Sequence, residues 1–289
     1  MILPCALGLL VGFRVAVFGD AHFDRGVRTA LHGKDPAELL ASTKVLRDSA
    51  DVSILNLETP LCDSNAAPAR KGGIRLRSDP LVAASLARAG FSAVTLANNH
   101  VMDRGEAGLR STSKALADAG VRSVGADPSG DPCRPLLVGD ATDSVAIFAW
   151  TPLPGIDGRR VCAELERVVR GIRAATTRRI PSLVVAHWGT EGNPRVSTSQ
   201  VAAAAKFAAA GAAALVGHHA HVIQFEGLSI PSMEQGMLVW YGIGNFVFDQ
   251  WEPWSRDALA VELDFSGGRL AASRTIELLR EGPKVRIRR

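Results

Sequence analysis

Aromatic residues are scarce in this chain: one Tyr, five Trp and ten Phe, 6% of 289 residues. Single-stranded nucleic acid is held by aromatics interleaved with basic residues, and no stretch here combines the two, so no nucleic-acid partner is expected. Cysteine is sparse as well. Cys5, Cys62, Cys133 and Cys162 are widely spaced, with no C-x-x-C and no disulfide-dense pattern; a reducing, cytoplasmic compartment is the simplest expectation. Long apolar runs are also missing. Residues 1–13 are apolar but lack a basic start and a small-residue cleavage site, and they are too short to span a bilayer. They read as a leader into the first strand, and no stable membrane anchor is expected. Internal repeats are absent. No single sign of charge dominates: 33 basic and 29 acidic side chains leave +4. An excess this small, spread along the chain, is ordinarily a solvated surface; its functional alternative is attraction of an anionic substrate.

What is present suits a packed globular protein, with 47% hydrophobic and 21% charged residues. The length allows one or two domains, and one domain over 1–289 is favoured. Short apolar runs rich in β-branched residues at 14–18, 52–55, 93–96, 145–150, 183–186 and 213–216 read as buried strands. Helix-period segments at 36–47, 80–89, 106–119, 161–175 and 199–209 lie between them, three closing at Gly90, Gly120 and Gly211. This alternation indicates an α/β fold with a mixed or mostly parallel sheet. After Met237 the pattern changes to near-continuous strand, which predicts a second, more antiparallel sheet packed on the first. Residues 62–78, rich in Ala, Pro, Gly and basic side chains, read as a long loop over one end of the sheet.

Polar residues of the metal-binding type close one apolar strand after another: Asp20 and His22, then Asn56 and Glu58, then Asn98, Asn99 and His100, then His187, then His218, His219 and His221. Ligands in α/β sheets collect outside the carboxyl ends of strands. Six of the seven histidines, all but His32, fall in these turns. Imidazole nitrogen with carboxylate oxygen suits Zn, Mn or Fe(II). Two cations ~3.5–4 Å apart clamp the attacking and leaving oxygens of an in-line displacement. Such a pair needs a shared anionic ligand between the two charges, and Glu58 is the best candidate. Water acidified by both cations serves as nucleophile, and a histidine not held by metal suits the proton donor.

The segments GDAHFDRGV, ADVSILNLETPL, FSAVTLANNHVMDRGEAGL, VVAHWGTEGNP, ALVGHHAHVIQ and YGIGNFVFDQ resemble, in order and spacing, the bacterial capsule-biosynthesis CapA family. That family is involved in poly-γ-glutamate formation and lies within the calcineurin-like metallophosphoesterase superfamily. The similarity runs from Val15 to about Asp264. It implies a four-layer α/β/β/α sandwich and a centre of two divalent metal ions (Mn, Fe or Zn). In that centre Asp20, His22 and His221 hold the first metal, Asn99, His187 and His219 hold the second, and Glu58 bridges them. The resemblance makes His100 the acid, oriented by Asp103. CapA relatives commonly carry an apolar residue near His22, whereas this chain keeps Asp-x-His, so its first site reads as complete.

Other residues are assigned more loosely. Lys71, Arg75 and Arg77 in the long loop are either solvated or a clamp for phosphate or carboxylate. His218 is either a partner of a ligand or a substrate contact. Glu191, in the loop after His187, either binds metal or supports the ligands, the second reading being preferred, and it is also counted among substrate contacts. Asn245 and Asp249 are placed as supports from below, with Asn245 also counted among substrate contacts. Trp150 and Trp188 either floor the pocket or belong to the core. Three functions follow: hydrolysis of a phosphoester, hydrolysis or transfer at an amide such as a γ-glutamyl bond, or non-enzymatic binding of an anionic polymer. The expected substrate is a small molecule or a short anionic polymer.

Overall fold

The structure, a computed structural model, describes residues 12–63, 73–140, 143–225 and 230–288. The first sheet is built outward from β1 (Phe13–Ala21), whose residues are buried from Val15 onward. On one side lie β2 (Val52–Leu57), β3 (Ala93–Thr95) and β4 (Arg122–Val124), each parallel to its neighbour. The crossovers carry α1 (Arg25–Leu31), α2 (Ala37–Leu40), α3 (Lys44–Asp48), α4 (Leu81–Arg88) and α5 (Gly105–Asp118). The second sheet runs β10 (Ser232–Glu234), β11 (Met237–Trp240), β8 (Ala214–His218), β7 (Ser182–His187), β6 (Ser144–Trp150), β5 (Leu136–Gly139). Its central strands are parallel, and its helices are α6 (Leu165–Thr177) and α7 (Thr198–Ala210). A small ribbon pairs β9 (Ile223–Gln224) with β12 (Gly242–Ile243), and β13 (Asn245–Val247) pairs in parallel with the end of β1.

Side-chain alternation along the strands makes the layers, because successive residues face opposite sides of a sheet. Val145, Ile147 and Ala149 of β6 join the core shared with the first sheet. Ala146, Phe148 and Trp150 face outward, onto Val168 and Ile172 of α6 and Phe207 of α7. The result is helices, sheet, sheet, helices: the four-layer α/β/β/α sandwich. Helix α7 starts at a capping box, Ser197 with Gln200, and ends at Gly211 in the left-handed region, the start and stop its sequence announces. Among the described residues no helix is long and apolar enough to cross a membrane.

Several expectations are corrected. The last three strands, β14 (Asp257–Ser266), β15 (Arg269–Glu281) and β16 (Lys284–Ile287), do not join the second sheet. They extend the first, with β14 antiparallel to β1. Arg14 pins that pairing, its Nε and Nη2 donating to the Asp264 carboxylate at 2.6 and 2.9 Å. Antiparallel patterning shows how strands run, not which open edge they fill; of the expected C-terminal strands, only β11 enters the second sheet. The helix expected from 161 begins at Leu165, because Val161 bridges to Ala126 and the buried Cys162 is disulfide-bonded to Cys133. That pair removes the basis for expecting a reducing compartment. The helix expected at 36–47 is split into α2, a 3-10 turn (Ala41–Thr43) and α3, where the buried Arg47 guanidinium donates to Leu40 O and Thr43 Oγ1. Strands β4 and β5 went unforeseen because both are partly exposed. The long loop is closed at its base by Leu61 pairing with Ser78; Lys71 and residues 1–11 lie outside the described residues.

Candidate metal centre

Parallel strands present their carboxyl ends along one edge, so Asp20, Glu58, Asn99, His187 and the 218–221 turn meet where the two sheets share that edge. Two glycines permit the approach. A Cβ on Gly19 would stand 2.2 Å from Gly244 O, and one on Gly217 would stand 1.9 Å from Tyr241 O. The turn after β8 carries strain: His219 has φ +81° and His221 φ +59°, positions costing about 1–3 kcal/mol each for non-glycine residues and concentrated at functional sites. The strain is held by the site itself. His219 N–H donates to Asp20 Oδ2 at 2.9 Å, and His221 Nδ1–H donates to Asn245 Oδ1 at 2.8 Å.

Glu58 is the centre of the arrangement. It has no solvent exposure, and neither carboxylate oxygen has a hydrogen-bond partner. Its Oε1 lies 3.6 Å from His187 Nε2, 3.9 Å from His221 Nε2 and 3.9 Å from His100 Nε2. Burial, then the charges of Asp20, Glu191 and Asp103, push its carboxyl well above the usual range. A buried carboxylate without a partner is costly unless a cation shares the site. Burial also pulls Asp20 upward, but His187 and His221, 3.7 and 3.5 Å away, hold it well below the ordinary value. Burial lowers His187 to about 4 and His219 to about 2. Both are therefore neutral imidazoles at neutral pH, the form that ligates metal. Asn99 Oδ1 sits 2.8 Å from His187 Nε2. Ligand atoms of Glu58, His187 and His219 lie within 4.8 Å of one another, as do those of Asp20, Glu58 and His221. Two clusters that share one carboxylate fit two divalent cations with a common ligand.

The other expected residues have distinct places. His100 Nδ1–H donates to Asp103 Oδ2 at 2.7 Å, and the same oxygen accepts Leu76 N–H at 2.7 Å. His22 stands apart: its Nδ1 accepts Asp24 N–H at 3.2 Å and its Nε2–H donates to Asp249 Oδ1 at 3.0 Å. His218 faces into the sheets, donating from Nε2 to Phe18 O at 3.1 Å. Asn245 is fully buried against His221, its Nδ2 donating to Gln250 Oε1 at 2.9 Å. Glu191 is exposed at the mouth, within 4.8 Å of ligand atoms of His219 and His221. Arg77 spends its guanidinium on the carbonyls of Cys62 and Asp63, whereas Arg75 Nε is buried without a partner. Trp150 and Trp188 are buried, their indole N–H groups given to Ala163 O and Tyr241 O.

Sequence reasoning missed the amide framework. Asn56 Nδ2 donates to Asp20 Oδ1 at 2.7 Å and lies 3.1 Å from His187 Nδ1, while its Oδ1 accepts from Thr95 and Asn98. Asn98 Oδ1 in turn accepts His100 N–H and Val101 N–H. The available signal was Asn56 itself, a polar residue at the carboxyl end of a mostly apolar strand, two before Glu58 and so on the same face.

Comparison with known proteins agrees with this geometry. The chain matches the family described as bacterial capsule synthesis protein PGA_cap over residues 14–250. It is 30% identical to the capsule biosynthesis protein CapA of Bacillus anthracis over 60% of this chain and 44% of that one. It is 25% identical to the PGA biosynthesis protein CapA of Bacillus subtilis over 84% and 65%; the chain thus matches about half to two thirds of the length of these relatives. Among solved structures, a phosphatase from Mycoplasma pneumoniae superposes with TM-score 0.60 at 13% identity, covering 95% of this chain and 96% of that one. A hypothetical protein from Thermus thermophilus superposes with TM-score 0.58 at 18% identity, over 93% and 100%. These last two likenesses speak to the fold alone, the four-layer α/β/β/α sandwich. With its motifs on the strand ends and the match running through them, the chain belongs to the PGA_cap, or CapA-like, family of bacterial capsule synthesis proteins.

Proposed function

We propose that this chain is a dinuclear-metal-dependent hydrolase of phosphoesters. The observation that carries the reading is the fully buried, unpartnered Glu58 carboxylate facing three histidine nitrogens. Glu58 would be the shared ligand, with Asp20 and His221 on one side and Asn99, His187 and His219 on the other. Two divalent cations held there, manganese, iron or zinc, would stabilise developing negative charge and acidify water. The chain's own residues do the rest. Asp103 fixes the His100 ring through Nδ1, and Nε2 faces the Glu58 cavity. From there it delivers a proton to the leaving oxygen, a role typically worth ~10²–10⁴-fold in rate. Arg75, with its unpartnered Nε, is assigned to the anionic group of a small or short polymeric substrate.

The test is metal analysis of the purified full chain, followed by turnover on panels of phosphoesters and γ-glutamyl peptides. Two metal equivalents and phosphoester cleavage that is lost on chelation and restored by metal are expected. A γ-glutamyl amide is the second reading, favoured by the relative named for PGA biosynthesis; cleavage confined to the peptide panel selects it. Metal without turnover on either panel selects a non-enzymatic accessory role, and a chain that takes up no metal sinks all the catalytic readings.

A further inference from the structure

The two ligand sets that share Glu58 are unequal. Asn99, His187 and His219 join it on one side, making four donors. On the other side the structure leaves Asp20, Glu58 and His221, because His22 is committed elsewhere. Both of its ring nitrogens are hydrogen-bonded, to Asp24 N–H and to Asp249 Oδ1. Asp249 is itself tied down, its Oδ2 accepting from Arg25 Nε at 3.0 Å and Gly26 N–H at 3.1 Å. The Phe248 ring packs against both His22 and His221, with centroids 4.3 and 4.5 Å away. Turning His22 toward Asp20 would break both of its hydrogen bonds and strip a buried carboxylate of a donor.

Glu191 stands beside His221, the histidine of the set that lacks a donor, and beside His219 of the other. It follows β7 in a turn that folds back through Gly189 and Gly192, at φ +89° and +70°. That turn is fastened to the histidine turn by Gly192 N–H donating to Ala220 O at 2.8 Å. The Glu191 carboxylate and ligand nitrogens of His219 and His221 lie within 4.8 Å of one another. No hydrogen bond or ion pair to a described residue competes for it. We propose that Glu191, rather than His22, completes the metal site formed by Asp20, Glu58 and His221. The inference rests on the dinuclear reading above and changes its chemistry. Three carboxylates make that site richer in oxygen, a donor set that favours Mn(II) over softer ions. The new ligand also sits on the solvent side, where a metal ion can enter and leave.

The experiment strips the full chain with chelator and titrates it with Mn(II) alone, following heat and the electron paramagnetic resonance of free Mn(II). The wild type is expected to bind two equivalents. Glu191→Gln should keep one and weaken the other by more than about 100-fold, beyond the about 10–100-fold cost of losing a partner that only orients a ligand. His22→Gln should keep both equivalents within about tenfold, judged against that same range. Glu191 is exposed, so its variant is expected to fold; thermal melts in chelator verify this, and that arm decides if His22→Gln does not fold. Two equivalents retained by Glu191→Gln within about 100-fold, or one lost by a folded His22→Gln, overturns this inference alone. A wild-type chain that binds fewer than two overturns the dinuclear reading beneath it.

Discussion

Replacing Glu58 by Gln should stabilise the metal-free protein while removing its response to metal. In the metal-free fold the Glu58 carboxyl is fully buried, and its pKa is raised, by burial first and then by neighbouring carboxylates. A carboxyl with a raised folded pKa contributes stability that is complete below its unfolded value, here 4.5, and is lost as pH climbs toward the folded value. The loss runs at about 1.4 kcal/mol per pH unit. Glu58→Gln does not incur that penalty. At roughly 2–3 °C per kcal/mol for a chain of this size, the variant should melt above the wild type in chelator, the gap widening by about 3–4 °C for each pH unit climbed from 4.5 toward the folded value. The gap should close as pH falls toward 4. Adding metal reverses the order: at 1,000 times its Kd a ligand stabilises the wild type by about 4.1 kcal/mol, whereas the variant has lost the shared carboxylate. Differential scanning calorimetry across pH, with and without metal, reads both effects. A variant that melts at or below the wild type in chelator, or that gains equally from metal, would refute the reasoning.

His100→Ala should retain both metals yet lose about 10²–10⁴-fold of turnover on substrates with poor leaving groups, and much less on those with good ones; Glu58→Ala should lose metal and activity together. A leaving-group series with metal analysis separates the two, and metal loss in His100→Ala would make that residue a ligand. Asn245→Ala should release His221 Nδ1 and weaken metal binding by about 10–100-fold, measured by calorimetry on protein whose circular dichroism is unchanged. Cys133→Ser should lower stability by about 2–4 kcal/mol in denaturant titrations, and a non-reduced digest of the wild type should yield the Cys133 and Cys162 peptides joined.

What the sequence determined by itself was the identity of the strand ends. Apolar runs closed by Asp20, Glu58, Asn99, His187 and His219 can be read without coordinates, because parallel strands place their carboxyl ends on one edge. The four layers came with the family resemblance; the local period-two and period-3.6 patterns by themselves gave only the alternation of strand and helix. Tertiary structure decided the rest. Strands β14–β16 extend the first sheet because β1 offered an edge more than 200 residues upstream. Cys133 and Cys162 meet because the segments on either side of β6 converge. The two histidines that looked alike, His22 and His221, were parted in the same way. Each donates a ring N–H, one to Asp249 and the other to Asn245. The nitrogen that remains is taken by Asp24 N–H in His22 and faces Glu58 in His221. Residue type makes a histidine able to bind metal. Which of its nitrogens stays open depends on partners that only the folded chain brings within hydrogen-bonding distance.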